Sequence, residues 1–210
     1  MEKETNGVKA IKRHIKITFT EPVFAAYPIE DGSVTVNKNV DASRGISFPR
    51  VDSKPVFYDH QIKDYFKNTC DVLARTKATR SSKLKSYKKT IDESFSVYPS
   101  FIPIDVNGEM SKSVQIFRPQ NMRRRKPKLT VFEEVPVGST INFDVTLLNP
   151  SHEKLLEEWL ERGLYRGLGQ WNVGRFTYTM SDEAGTQLGG TAEHYEEWLH
   201  KQNFFPKELE

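Results

Sequence analysis

Apolar and polar positions alternate through KRHIKITFT (12–20), with Ile15, Ile17 and Phe19 on one side and His14 among the residues on the other. A period of two marks an amphipathic strand. The next firm pattern is helical: Ile62, Tyr65, Phe66, Thr69, Cys70 and Leu73 recur at i, i+3, i+4 and i+7, Asp59 can cap the start, and Lys63, Asp64, Lys67, Asn68 and Asp71 fill the opposite face. Such a helix lies on a sheet with Cys70 inward, which makes the cysteine small core rather than a reactive thiol. Between these elements, Pro22, Pro28, Asp31-Gly32, Gly45 and Pro49 punctuate residues 21–55. Loops and one hairpin are expected there, around the strand-like Val34-Thr35-Val36.

Strand patterns then recur over roughly 94–104, 114–118, 128–135 and 140–148, the last with Ile141, Phe143, Val145 and Leu147 alternating. Pro136-Val137-Gly138-Ser139 reads as a hairpin turn between the final two. A second helix starts at Asn149-Pro150-Ser151, carries the stripe Leu155, Leu156, Trp159 and Leu160, and stops at Gly163. A glycine-rich turn and a strand over 174–180 follow. Beyond a flexible Gly185 to Gly190 stretch, residues 191–203 read as a third helix. The order is βαββαβ-like with inserted strands, an α+β sandwich with helices on one face of an antiparallel sheet. Residues 1–180 are assigned to that domain and 181–210 to an acidic helical appendage.

Composition adds limits. At 210 residues, 37% hydrophobic and 28% charged, the chain can bury a core without disulfide staples. One cysteine excludes an internal disulfide and a four-cysteine zinc site, which favours a reducing compartment. With no signal-like apolar start and no apolar run of about 18 residues, a cytoplasmic location and no membrane partner are expected.

The net charge of +3 conceals a segregation along the chain. Residues 181–210 sum to −5, whereas Arg75 to Lys128 carries fourteen Lys or Arg against Asp92, Glu93, Asp105 and Glu109. Two runs within it contain no acid. The first holds Arg75, Lys77, Arg80, Lys83, Lys85, Lys88 and Lys89, and the second Arg118, Arg123, Arg124, Arg125, Lys126 and Lys128. Like charges repel one another, so two such runs in a folded chain point to a polyanion. A solvated loop is the plainer alternative. Hydroxyls of Thr76, Thr79, Ser81, Ser82 and Ser86 can donate to phosphate beside the first run. Tyr87 and Tyr98 can stack unpaired bases, although Tyr98 suits the core better.

Gly163, Gly167, Gly169 and Gly174 lie among Arg166, Gln170, Asn172 and Arg175. Glycines allow close backbone approach to a phosphate and arginines add charge. They equally suit a tight helix-to-strand return anchored by Trp171. The turn is neither a Walker loop nor a dinucleotide fingerprint. No metal-ligand spacing occurs among the histidines, and no cofactor is expected. His60 at a helix start and His14 on the first strand are the catalytic candidates; adjacent glutamates diverge and form no acid/base dyad.

The helix followed by GLYRGLGQWNVGRF (163–176) and a strand resembles the C-terminal glycine-rich loop of the RAMP superfamily, ferredoxin-like RNA-binding proteins of CRISPR systems. Residues 57–73, 81–92 and 156–176 resemble a family of uncharacterised proteins encoded by phages and prophages. The RAMP resemblance implies a ferredoxin-like fold and RNA contact through Gly167, Gly169, Gly174, Arg166 and Arg175. The phage resemblance implies the host cytoplasm. Three functions stay open: a non-catalytic RNA- or DNA-binding protein, which leads; an anti-CRISPR inhibitor that imitates a RAMP subunit within a bacterial defence complex; and a metal-independent endoribonuclease.

Overall fold

The alternation near the N-terminus builds a strand at the heart of the larger of two sheets. In the computed structural model, which describes residues 10–33, 44–76, 79–117, 128–169 and 172–191, that strand is β1 (Ile11–Phe19). It is followed by β2 (Val23–Phe24), β3 (Tyr27–Ser33), β4 (Arg44–Ser47), β5 (Arg50–Val51), β6 (Lys54–Tyr58), α1 (Asp59–Ala74), α2 (Tyr87–Ser94), β7 (Phe95–Tyr98) and β8 (Phe101–Asp105). β9 (Ser111–Phe117), β10 (Lys128–Val135), β11 (Thr140–Leu147), α3 (Glu153–Glu161), β12 (Phe176–Ser181) and β13 (Gln187–Gly190) complete the described chain.

The larger sheet runs β13-β12-β1-β11-β8-β6-β5, with β7 also paired to β11. Its central strands follow the path β1, α1, β7/β8, β11, α3, β12 and lie side by side as β12, β1, β11, β7/β8, all antiparallel. This is the ferredoxin-like split βαβ arrangement. The strand expected over 94–104 is real but interrupted at Pro99-Ser100, so that β7 and β8 meet different stretches of β11.

Both helices cover one face of this sheet because their apolar stripes have nowhere else to go. All six predicted positions of α1 are buried, as are Leu155, Leu156, Trp159 and Leu160 of α3. Trp159 meets Phe95 and Phe66 at ring-centroid distances of 5.0 and 5.6 Å, and Tyr65 meets Phe176 at 5.4 Å. Each such side chain, fully buried, contributes about 1.5–3 kcal/mol. Asp59 is the first residue of α1 rather than its cap; the Gln61 side chain reaches back to accept from the Tyr58 N–H at 2.8 Å. Ahead of α3, Asn149 is the cap, its Oδ1 accepting from the Ser151 N–H at 3.0 Å.

The smaller sheet contains β2-β10-β4-β3, with β9 along the other side of β10. It is assembled from two insertions, one between β1 and α1 and one between β8 and β11. The hairpin expected at 136–139 is therefore corrected: β10 pairs with β9, β2 and β4, and the turn instead carries the chain across to β11 in the larger sheet. Sequence spacing identifies strands but not their partners. A hairpin does join β3 and β4 within 21–55, while Val34-Thr35-Val36 lies outside the described residues.

The stretch read as flexible, 185–190, instead supplies β13. Gly189 and Gly190 pair with Met180 and Thr179. Thr191 is buried and its Oγ1 accepts from the Tyr178 N–H at 2.7 Å. Residues 192–210, with the rest of the expected third helix, lie outside the described residues. Among the described residues no helix is long and apolar enough to cross a membrane.

Candidate nucleic-acid interface

Residues 79–82 of the first basic run are tied to α1 and α3 and form the root of a platform. Glu158 on α3 accepts from the Arg80 N–H at 2.7 Å, the Ser81 N–H at 2.9 Å and the Ser81 hydroxyl at 2.6 Å. The buried Trp159 indole donates to the same Ser81 oxygen at 2.9 Å. Thr79 donates to the Leu73 carbonyl at 2.8 Å, and Ser82 to the Thr79 carbonyl at 2.6 Å. Three of the hydroxyls expected to meet phosphate are thus engaged inside the chain, where they shape the loop. Tyr87 likewise packs against the core and donates to Asp71 at 2.9 Å.

What the platform turns outward is charge. Arg75, Arg80, Lys83, Lys85, Lys88 and Lys89 are all exposed, and Lys77 lies outside the described residues. The run is acid-free in sequence but not in space. Arg75 pairs with Asp71 at 2.6 Å and Lys89 with Glu93 at 3.7 Å, both one helical turn away. Lys88 lies 6.0 Å from the Tyr87 ring centre. Arg80, Lys83, Lys85 and Lys88 form no ion pair among the described residues. Of the second run, Arg118, Arg123, Arg124, Arg125 and Lys126 lie outside the described residues. They fall between Phe117 and Lys128, which are register partners at the end of the β9–β10 pair.

The glycine-rich turn folds onto itself. The Gly167 N–H donates to the Asn172 carbonyl and the Gly169 N–H to the Val173 carbonyl, both at 2.8 Å. Those two groups are therefore engaged within the chain rather than turned toward a ligand. A Cβ on Gly167 would sit 2.1 Å from the Val173 oxygen, and one on Gly163 2.3 Å from the Phe176 ring. Gly174 has φ +79° and presses on Val23 of the smaller sheet. These glycines are required by close packing between the two sheets and α3. Arg175 pairs with Glu21, whose carboxyl is held below its ordinary pKa by that hydrogen bond. Arg166 borders a hollow of about 170 Å³ between the turn and α1, shared with Gln61, Asp64, Asn68 and Asn172.

His60 is exposed on the first turn of α1, its ring stacked on Tyr58 at 5.2 Å and its Nδ1 3.9 Å from Asp59. No group of three metal-binding side chains occurs among the described residues.

The face of the larger sheet opposite α1 and α3 holds residues that the charge pattern does not select. Ser181, His14, Asp144 and Tyr98 form one register row across β12, β1, β11 and β7. Thr179, Lys16 and Asn142 form another, two residues along. Together they line a hollow of about 500 Å³. Asp144 accepts from Lys12 at 2.8 Å and is hydrogen-bonded to Nδ1 of His14. Burial pushes its carboxyl up, yet these two partners outweigh it and the pKa lies below the ordinary value. Tyr98, expected in the core, is 67% exposed. The signal available in the sequence was the polar half of each alternation, Asn142 and Asp144 against Ile141 and Phe143.

No protein-family model and no curated protein sequence matches the chain. A chain in the cryo-EM structure of the Type III-B Cmr-beta bound to cognate target RNA is similar, with a TM-score of 0.48 and 15% identity. The match covers 87% of this chain and 60% of that one, so this protein spans less than two thirds of its length. The ferredoxin-like assignment rests on the strand order of the protein itself.

Proposed function

We propose that the protein binds nucleic acid without cleaving it, with RNA the expected partner, through the basic platform of residues 75–89. The observation that carries this reading is the exposure of Arg80, Lys83, Lys85 and Lys88, with no ion pair among the described residues, on a loop whose Arg80-Ser81 backbone is tied to α3 through Glu158 and Trp159. A pinned loop meets a polyanion without first losing conformational freedom. The second basic run, 118–128, adds charge from the β9–β10 insertion. Arg166 and Arg175 are the contacts proposed at the glycine-rich turn, with Gly167, Gly169 and Gly174 as its scaffold. The preference for RNA comes from the RAMP resemblance of residues 156–176.

Affinity for single-stranded RNA measured over a range of salt tests the reading. Engagement of about six phosphates gives a log–log slope near −4, and a slope near zero would sink the proposal. Mobility shifts with single- and double-stranded RNA and DNA then rank the partners. A second reading, a phage-encoded inhibitor of a bacterial defence complex acting in the host cytoplasm, draws on the ferredoxin-like strand order and the phage resemblance. A protein partner retained after ribonuclease digestion favours it. Cleavage of RNA in EDTA would instead establish an endoribonuclease.

A further inference from the structure

The aromatic side chains of the helix-covered face are buried, whereas Tyr98 on the other face is 67% exposed and Phe101, on that same open face, is 51% exposed. Tyr98 lines the polar hollow, where its exposed ring offers a flat aromatic face. Its surroundings indicate the ligand. Across the row from Tyr98 stand the Asp144 carboxylate and the His14 imidazole, and one row along stand the Asn142 amide and the Lys16 ammonium. Lys12 is paired with Asp144, which leaves Lys16 as a cation with no ion pair among the described residues. The core of a protein interface is depleted in charged residues, whereas these rows place Lys16, Asp144 and His14 at the centre of the face. An aromatic plane, groups able to bond a base edge and a nearby unpaired cation match one nucleotide.

We infer that the open face of the larger sheet takes an unpaired base of single-stranded nucleic acid, stacked on Tyr98, with the adjoining phosphate against Lys16. Tyr98 and Lys16 lie two strands apart and two residues along, roughly 12 Å at ordinary strand dimensions, a span that a nucleotide and the reach of the lysine cover together. Asn142 and Asp144, on the intervening strand, face the base edge. The basic platform and this site lie on different sides of the sheet, so the platform supplies charge-driven attraction and the open face detects unpaired bases. The inference rests on the proposed nucleic-acid binding but concerns a separate surface.

The test compares a ten-nucleotide single-stranded RNA with the same backbone made abasic, against the full chain and its Tyr98→Ala and Tyr98→Phe variants. The full chain is expected to bind the intact oligonucleotide about tenfold more tightly than the abasic one. Tyr98→Ala should erase that ratio without changing the salt slope, and Tyr98→Phe should keep it. Equal binding of both oligonucleotides by the full chain, with a slope near −4, overturns the stacking site and leaves the platform reading intact. No binding of either overturns the platform reading itself. A ratio unchanged in Tyr98→Ala places the base elsewhere and also overturns the inference. Circular dichroism of Tyr98→Ala, expected to match that of the unaltered protein, separates loss of binding from loss of fold.

Discussion

The two faces of the larger sheet are made by the same strands and do opposite work. On one side Ile15, Ile17, Phe143, Val145, Tyr178 and Met180 disappear under α1 and α3. On the other, one residue along each strand, Lys16, Asn142, Asp144 and Thr179 line an open hollow. The covered face is tightly interlocked, and even the loop that carries the platform charges is tied to its Trp159. The open face makes few contacts and holds its groups by ion pairs and strand register alone. Stability is therefore concentrated on one side of the sheet, and the other is free to vary in chemistry.

That contrast breaks most visibly at Trp159. Trp159→Ala should cost about 3–5 kcal/mol, since it opens a cavity and removes the donor to Ser81; thermal or denaturant unfolding measures it. Gly167→Ala comes next, at about 1–3 kcal/mol, because the new Cβ would collide with the Val173 carbonyl. An unchanged melting temperature there would show that the turn relaxes freely. Replacing Arg80, Lys83, Lys85 and Lys88 together by glutamate should leave folding nearly unaltered while reducing the magnitude of the RNA salt slope by about 3.

Substitutions on the open face should barely register in stability. Lys16→Ala and Thr179→Ala are expected to stay within about 0.5 kcal/mol. Asp144→Asn weakens the pairing with Lys12 and His14 and has a distinct pH signature. The native carboxyl has a pKa below its unfolded value, so its contribution is present above the ordinary carboxylate range and fades as pH falls through the lowered native value. The difference in melting temperature between the protein and Asp144→Asn should therefore shrink on acidification below about pH 4. A difference that grows in acid would contradict the assigned pairing.

The acidic C-terminal segment also bears on the comparison. If it competes for the basic platform, a chain ending at Thr191 should bind RNA more tightly. The cut belongs there because β13 and Thr191 complete the larger sheet. Unchanged affinity would exclude such competition.

The helices and the covered face were legible in the sequence because periodicity reports directly on which side of an element is dry. The α1 stripe, the α3 stripe and the β11 alternation all correspond to buried residues, and the βαββαβ-like order matches an antiparallel sheet with helices on one face, the ferredoxin-like form having come from the resemblance. Strand partners were not legible. β10 and β11 look like a hairpin along the chain, but β10 is satisfied by β9, β2 and β4 in another sheet. Charge was half legible. The sequence shows a run without acids, but not that Asp71 and Glu93 lie one helical turn from Arg75 and Lys89, or that Glu158 reaches over to grip the backbone of that run. Nor does it show that the hydroxyls of Thr79, Ser81 and Ser82 bond within the chain.

Tyr98 marks the limit most clearly. In Phe95-Ser96-Val97-Tyr98 the apolar residues do not alternate with polar ones at the last position, and an aromatic next to Val97 suits a buried strand. The sequence by itself determined which residues must leave water: the stripes of α1 and α3 and the inner halves of β1, β11 and β12. Only the tertiary structure decided what the remaining residues meet. The hydrophobic effect acts through local periodicity, whereas hydrogen-bond partners, ion pairs and the row that joins Ser181, His14, Asp144 and Tyr98 depend on contacts between distant parts of the chain.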